Sequence, residues 1–263
     1  MGYTITPERK FSPNADYRKY IIMNKSNHSY AINNQIVSVF PNDCWRHRRC
    51  FIIGGGPSLM GFDFSRLKGE LTIGINKAFE SFPDATINYA MDSDFYNKMK
   101  KGVYDRTPDE KLWDKWLSFK GTRVFLTPME IKEFGKEVHL VRRNIELMFT
   151  RELNDGIYGG CNSGFGAIML AATLGAAQIY LLGYDMKTTD TQSHWHGGYP
   201  NRDLVDFNKK LTKYKREIQN VLPQLRMLGV EVTNLSTDSE LKCLNTDTLE
   251  NVLKESICPV IKT

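Results

Sequence analysis

The hydrophobic positions of the chain form short runs that are separated by stretches long enough to hold helices. The first run opens at Cys50, in CFIIGGGPSL, and ends at three glycines. Comparable runs follow at residues 71–75, 87–91, 123–126, 138–141, 179–182 and 230–232. Short apolar runs bounded by turn residues are typical of strands that are buried on both faces, as in parallel sheets.

Two longer segments have helical patterns. Residues 162–174, NSGFGAIMLAATL, are small and apolar and precede Gly175, whereas residues 203–228 are amphipathic and precede Gly229. A glycine directly after a periodic segment is a common helix end. Strands that alternate with helices through right-handed crossovers predict a Rossmann-like α/β fold with a doubly wound, mostly parallel sheet.

The N-terminal region lacks this alternation. Residues 28–40, HSYAINNQIVSVF, have the pattern of two short strands around Asn33-Asn34, a dipeptide suited to a hairpin turn. We therefore predict an N-terminal arm with a β-hairpin over residues 1–48 and a Rossmann-like domain over residues 49–263.

Composition narrows the class of protein. The 263 residues are 41% hydrophobic and 25% charged, as in soluble globular proteins, and no run approaches the ~20 apolar residues of a membrane span. The polar N-terminus and five cysteines without CxxC spacing predict a cytoplasmic protein without a disulfide framework or zinc knuckle. A net charge of +5 suits an anionic ligand such as a nucleotide.

A glycine-rich turn follows the first predicted strand. It consists of Gly54, Gly55, Gly56, Pro57 and Ser58. Glycines let backbone amides approach a phosphate, and the helix start adds partial positive charge and the Ser58 hydroxyl. The turn lacks the Lys-Ser/Thr of a Walker A loop, and Leu59 replaces the third glycine of GxGxxG. It predicts a nucleotide site, with close packing of the turn as the alternative.

Polar residues also follow the next two predicted strands. Asn76 ends the second strand, and Asp92 and Asp94 follow the third. Ligands of open α/β sheets bind beyond the carboxyl ends of the strands. Asn76 is suited to reading a base or ribose, and the carboxylates suit a ribose hydroxyl or Mg²⁺. Alternatively, either carboxylate caps the following helix.

A second glycine-rich turn, GGCNSG at residues 159–164, opens the small-residue helix. With Asn162 or Ser163 as cap, its amides form another anion-binding helix start at the same sheet edge, and the two turns are able to bracket a diphosphate. Close packing of helix on sheet explains Gly164 equally well. No His or Asp is placed to activate Cys161, which we interpret as a packed small residue.

The densest group of polar residues follows the strand at 179–182. Asp185 and Lys187 come first, and HWHGGYP then supplies His194 and His196. Either histidine suits a general base near neutral pH or a phosphate contact. A metal site formed with Asp185 and a purely structural pair are the alternatives.

Four blocks together resemble a Rossmann-like superfamily. They are CFIIGGGPSL, TIGINKAF, YAMDSDFY and GGCNSGFGAIMLAATLGAAQIYLLGYDM, and the resemblance spans residues 48–245. This superfamily contains the archaeal-type 6-hydroxymethylpterin diphosphokinases and related bacterial and phage proteins. The same order of blocks resembles the bacterial lipooligosaccharide sialyltransferases.

The two resemblances imply different reactions. Similarity to sialyltransferases implies that residues 54–58 and Asn76 bind a cytidine nucleotide, that Ser163 and Gly164 line the donor site, and that a histidine deprotonates the acceptor. Similarity to diphosphokinases implies ATP and Mg²⁺, with the glycine turn on the phosphates and with metal ligands drawn from three carboxylates, Asp92, Asp94 and Asp185.

We expect a nucleotide-dependent transferase that most resembles nucleotide-sugar glycosyltransferases. His194 or His196 takes the proton of an acceptor hydroxyl, while Lys187 and the amides of residues 54–58 stabilise the departing phosphate. One alternative is Mg²⁺-dependent transfer of diphosphate from ATP to a hydroxymethylpterin-like acceptor. The other is a non-catalytic nucleotide or nucleic-acid binding protein that uses the basic run at residues 209–216.

Overall fold

A computed structural model describes residues 35–104, 107–126, 134–189, 193–196 and 204–254. The strands are β1 (Arg49–Ile53), β2 (Leu71–Ile75), β3 (Ile87–Ala90), β4 (Val103–Tyr104), β5 (Thr107–Pro108), β6 (Thr122–Leu126), β7 (His139–Val141), β8 (Gln178–Leu182), β9 (Glu231–Asn234) and β10 (Asn245–Thr246). The α-helices are α1 (Ser93–Lys100), α2 (Leu112–Leu117), α3 (Ser163–Thr173), α4 (Leu204–Met227) and α5 (Leu249–Lys254).

Eight of these strands form one parallel sheet with the order β10-β9-β8-β1-β2-β3-β6-β7. The strands β4 and β5 form a separate antiparallel pair. The chain builds outward from β1 in one direction through β7, and it then returns to the other side of β1 with β8. The predicted Rossmann-like, doubly wound α/β fold is therefore confirmed, and the reversal between β1 and β8 marks the place where such folds bind ligands.

Helices cover both faces of the sheet, and β1 shows why its sequence is apolar at successive positions. Cys50 and Ile52 belong to the core that contains α3 and the buried side of α4. Phe51 and Ile53 belong to the core beneath α1, α2 and α5. Since side chains of a strand alternate between faces, a strand that is covered on both sides needs a continuous apolar run.

The two predicted helices form with nearly the predicted bounds. Asn162 caps α3, because its Oδ1 accepts a hydrogen bond of 2.9 Å from the Phe165 amide. Past the end of α3, Gly175 adopts a φ of 102°, a conformation that favours glycine. The helix α4 ends at Met227, and Gly229 has a φ of 72°. Asp203, the predicted first residue of α4, lies outside the described residues.

The second strand of the predicted N-terminal hairpin is replaced by a 3₁₀ helix, Ile36–Ser38. The Ser38 amide donates to the Gln35 carbonyl at 2.9 Å and closes a turn, while Gln35 makes only an isolated bridge with Leu140. Ile36 is buried in the same core as α3, and this burial favours the turn over an exposed hairpin arm. Asn33-Asn34 lies outside the described residues, and the boundary at residue 48 stays a prediction.

Two further properties bear on the predicted class of protein. Within the described ranges, no helix has the length and apolar character that crossing a membrane requires. The thiols of Cys44, Cys50, Cys161 and Cys243 are free. Cys258 lies outside the described residues.

Candidate functional site

A cavity of about 460 Å³ lies at the carboxyl ends of β1, β2, β3 and β8, next to the reversal in strand order. This volume falls within the range of small-molecule binding sites. The cavity brings together many residues that the sequence singled out: Gly54, Gly55, Gly56, Asn76, Asp92, Asn162, Ser163, Gly164, Lys187, His194 and His196. Four others do not line it: Pro57, Ser58, Asp94 and Asp185.

The glycine turn after β1 packs against the turn after β8. A Cβ atom on Gly56 would lie 2.2 Å from Asp185 Oδ2 and 2.6 Å from the Gly183 carbonyl oxygen. A Cβ atom on Gly54 would lie 2.7 Å from the same carbonyl oxygen. Close packing, the alternative for this turn, therefore explains why Gly54 and Gly56 are glycines.

The amides of the same turn are used within the chain. The Gly54 amide donates to Leu182 and the Gly56 amide to Gly183, each at 2.8 Å. The Ser58 amide donates to the Asp185 carboxylate at 2.8 Å. This corrects the expected phosphate role of these three amides, because each already has an acceptor.

Asp185 likewise has a structural partner, and its predicted catalytic or metal-binding role stays a prediction. It is 3% exposed, and its carboxylate accepts the hydrogen bond from the Ser58 amide. A buried carboxylate requires such donors, and the start of the 3₁₀ helix Pro57–Leu59 supplies one. The Asp185 carboxylate thus holds the turn after β1 against the turn after β8.

The start of α3 keeps two amides for a ligand. Among the described residues, the Ser163 and Gly164 amides have no hydrogen-bond acceptor, and both residues line the cavity. The Tyr184 hydroxyl, from the turn after β8, donates to the Gly164 carbonyl at 2.9 Å and holds the start of α3 in place. The helix start thus offers a pair of donors to an anion.

Cys161 precedes this turn and is an inert thiol. Its Sγ donates to the Glu217 carboxylate over 2.8 Å. Burial, and then the hydrogen bond and charge of Glu217, raise the pKa of the Cys161 thiol to about 11. The thiol is therefore protonated at neutral pH, in line with the interpretation of Cys161 as a packed small residue.

Asn76 carries an unusual combination of features. Its φ is 50°, in the left-handed region, and its Oδ1 is buried without a hydrogen-bond partner in the described part of the chain. The backbone is held by Asn88, whose Nδ2 donates to the Asn76 carbonyl at 2.8 Å. An acceptor without a partner, on a residue that lines a cavity, makes Asn76 a candidate contact for a ligand.

Replacing Asn88 with aspartate is expected to lower the free energy of unfolding by about 3 kcal/mol, because a carboxylate cannot donate to the Asn76 carbonyl and is buried. Asn88 is fully buried, and its Oδ1 also accepts from Trp116 Nε1 at 2.8 Å. Denaturant unfolding measures the change. Asn97→Asp makes the same chemical change at an exposed position of α1 and should cost less than 0.5 kcal/mol. Equal costs for the two variants would contradict this role for Asn88.

The two acidic residues after β3 do not form a metal site in the described structure. Asp92 is the N-cap of α1, and its Oδ1 accepts from the Asp94 amide at 2.9 Å. Among the residues that the structure describes, no group of three His, Cys, Asp or Glu side chains could hold a metal ion. Helix capping, the alternative for these carboxylates, accounts for Asp92.

Trp195 connects residues 193–196, which contain both histidines, to the glycine turn after β1. Its amide donates to the Gly55 carbonyl at 3.1 Å, and its Nε1 donates to the Gly54 carbonyl at 3.0 Å. Its ring packs on Phe64, with 5.6 Å between the ring centroids. His194 and His196, on either side of Trp195, both line the cavity.

His194 is the better oriented of the two histidines. Its Nδ1 lies 2.8 Å from the hydroxyl of Ser193, which is buried. When that hydroxyl accepts the Nδ1 proton, Nε2 is the basic nitrogen of the ring, the one that takes up a proton. His196 lies beside it, with 5.4 Å between ring centroids.

Lys187 lines the cavity, but its charge is already paired. Its Nζ donates to the Asp238 carboxylate at 2.6 Å, and this bond raises the pKa of the lysine. Lys187 would have to leave Asp238 in order to neutralise a departing phosphate. Its predicted role stays a prediction.

The sequence patterns did not single out the apolar wall of the cavity. Phe207, Leu211 and Tyr214 line it from one face of α4. Met186, whose φ is 51°, adds to this wall from the turn after β8. Helical spacing predicts that the three α4 residues lie on one face of the helix. It does not predict whether that face contacts the core or lines a cavity.

The comparisons with known proteins show a likeness to solved structures alone. No protein-family model and no curated protein matches the chain. The sialyltransferase CstII from Campylobacter jejuni, solved with the substrate analogue cytidine-5'-monophosphate, superposes with a TM-score of 0.43 and 15% identity over 76% of this chain and 85% of that chain. The sialyltransferase CST-II with a trisaccharide acceptor and CMP gives 0.46 and 16%, over 76% and 86%. The function must therefore be inferred from this chain's own residues.

Proposed function

We propose that this chain is a nucleotide-dependent transferase that passes a glycosyl group from a nucleotide-sugar donor to an acceptor hydroxyl. One observation carries the proposal: Asn76, whose buried Oδ1 has no partner among the described residues, lines the same cavity as the two histidines. A recognition group and a proton acceptor thus share one cavity at the strand reversal, where α/β sheets bind nucleotides.

The binding half of the proposal assigns one polar contact to each end of the nucleotide. Asn76 Oδ1 accepts a hydrogen bond from the base or ribose. The Ser163 and Gly164 amides donate to a phosphate oxygen, at the positive end of the α3 dipole. The apolar side chains of Phe207 and Leu211 bury the remaining ligand surface.

The chemical half of the proposal is a single displacement. His194 Nε2 takes the proton of the acceptor hydroxyl as the hydroxyl oxygen bonds to the anomeric carbon. The bond between that carbon and the donor phosphate oxygen breaks, and its electron pair leaves with the nucleotide. The amides at the start of α3 stabilise the negative charge that develops on the phosphate.

The proposal is tested by thermal shift with CMP, UDP, GDP, ADP and ATP, each with and without Mg²⁺. Stabilisation by CMP without metal, or by UDP or GDP, supports a glycosyl donor, and at 100 times the Kd the melting temperature should rise by about 5 °C. Selective, Mg²⁺-dependent stabilisation by ATP would favour diphosphate transfer instead. No shift with any nucleotide would overturn the proposal and favour a non-catalytic role.

Replacing Asn76 with glycine is expected to weaken binding of the stabilising nucleotide about tenfold, because the buried acceptor is lost. Glycine keeps the left-handed backbone without strain. Isothermal titration calorimetry measures the Kd. His47→Gly is the matched control, since His47 has a φ of 60° and is exposed. Unchanged affinity in Asn76→Gly would show that Asn76 does not contact the ligand.

A further inference from the structure

Glu217 places a fixed negative charge at the start of α3. Its Oε2 accepts hydrogen bonds from the Cys161 amide at 3.0 Å and from the Cys161 thiol at 2.8 Å, and Asn162 Nδ2 lies at 3.4 Å. Gly160 gives it room, because a Cβ atom there would lie 2.7 Å from Glu217 Oε1. The carboxylate thus contacts Cys161 and Asn162, the two residues that directly precede the Ser163 and Gly164 amides.

The Cys161 thiol keeps its proton beside Glu217. Burial and the carboxylate hold the pKa of Cys161 at about 11, so the thiol stays a neutral donor. Lys213 lies one turn before Glu217 on α4 and is exposed. Its positive charge lowers the pKa of Cys161, whereas Glu217 raises it. A hydrated lysine offsets only part of a carboxylate that is held by three donors.

The same arrangement occurs at the other glycine-rich turn, where buried Asp185 accepts the Ser58 amide. Both turns that the sequence predicted as anion sites are therefore capped on one side by the chain's own carboxylates. A ligand phosphate at Ser163 and Gly164 gains the two amides and the helix dipole, but each extra negative charge is repelled by the nearby carboxylate.

We infer that Glu217 is a specificity-determining residue that limits how much negative charge the nucleotide site accepts. The inference rests on the proposed function, because it concerns the same cavity. Glu217 selects through repulsion, because its charge weakens the binding of a nucleotide with a second phosphate more than the binding of a nucleotide with one phosphate. Its hydrogen bonds to Cys161 and Asn162 at the same time hold the turn in shape.

The test is Glu217→Gln, which keeps an acceptor for the Cys161 amide and removes the charge. Calorimetry measures the Kd of CMP, CDP, UMP, UDP, AMP and ADP without metal. We expect the preference for monophosphate over diphosphate to fall about tenfold, the effect of one charge pair at moderate distance. Asp206→Asn, on the same helix, is the control for net charge and should leave the ratio unchanged, because Asp206 pairs with Lys209 at the surface.

A second readout checks that the substitution removes the contact. Iodoacetamide should alkylate Cys161 faster in Glu217→Gln, because loss of the carboxylate lowers the pKa of the thiol; peptide mass spectrometry identifies the modified cysteine. Faster alkylation with an unchanged ratio of affinities would overturn the inference while leaving the proposed function standing. Absence of binding by all six nucleotides and by GDP, in the wild type as well as the variant, would overturn the proposed function itself.

Discussion

Replacing His194 and His196 together with alanine is expected to lower turnover by about 10²- to 10⁴-fold, the contribution of a positioned general base. Both rings line the cavity, and Ser193 orients His194 through Nδ1. The nucleotide Kd should change little, because the proposed contacts of the donor are Asn76 and the start of α3. A fall in kcat with an unchanged Kd is thus the expected signature.

The measurement is the rate of nucleotide release in the presence of the donor identified by the nucleotide panel and of an acceptor. His47→Ala serves as the control, since it removes an imidazole from an exposed position outside the cavity. The two single variants then give the separate contributions of His194 and His196 to turnover, and we expect His194→Ala to have the larger effect. Full turnover in the double variant would exclude both histidines as the base.

Replacing Gly56 with alanine is expected to lower the free energy of unfolding by about 3 kcal/mol, because the new methyl group would overlap a backbone oxygen and a buried carboxylate. Gly183 O and Asp185 Oδ2 would lie 2.6 Å and 2.2 Å from the added carbon. Neither neighbour is free to withdraw: one is backbone, and the other holds the Ser58 amide. The melting temperature should fall by about 6 °C.

Gly61→Ala is the matched control for this prediction. Gly61 has a φ of 72° and open space around its Cα, so alanine there meets backbone strain without overlap. Its expected cost is about 1 kcal/mol. Denaturant unfolding compares the two variants, and a Gly56→Ala protein as stable as Gly61→Ala would show that the two turns do not pack as described.

The sheet could be predicted because each buried strand forms a short apolar run that is recognisable from its own residues. Residues 71–75 form β2 with the predicted bounds, and Asn162, the first residue of the predicted helix, is the N-cap of α3. The order of strands is not local, since it depends on which strands pair across the whole chain. The predicted second strand of the N-terminal hairpin shows the opposite case: in its described part, Ile36–Ser38 form a 3₁₀ helix and Ile36 is buried in the main core.

The location of the site could be predicted, but the use of its donors could not. Residues after strand ends gather at one edge of a parallel sheet, and this rule brings Asn76 and His194 to one cavity. Glycine-rich turns look alike whether their amides bind a phosphate or the protein itself. Only the packing of Asp185 against Ser58, and of Glu217 against Cys161, decides between the two.

The neighbouring positions of β1 and β8 also bear on how the protein folds. Arg49 pairs with Gln178, so the pairing of β1 with β8 closes a loop that contains four of the eight strands of the sheet. Pairing over such a sequence separation is slow, because the loop-closure entropy must be overcome before the contacts form. During synthesis the cavity cannot exist until β8 and the segment around Trp195 have left the ribosome. The capacity to bind a ligand should therefore be among the last properties that a growing or refolding chain acquires.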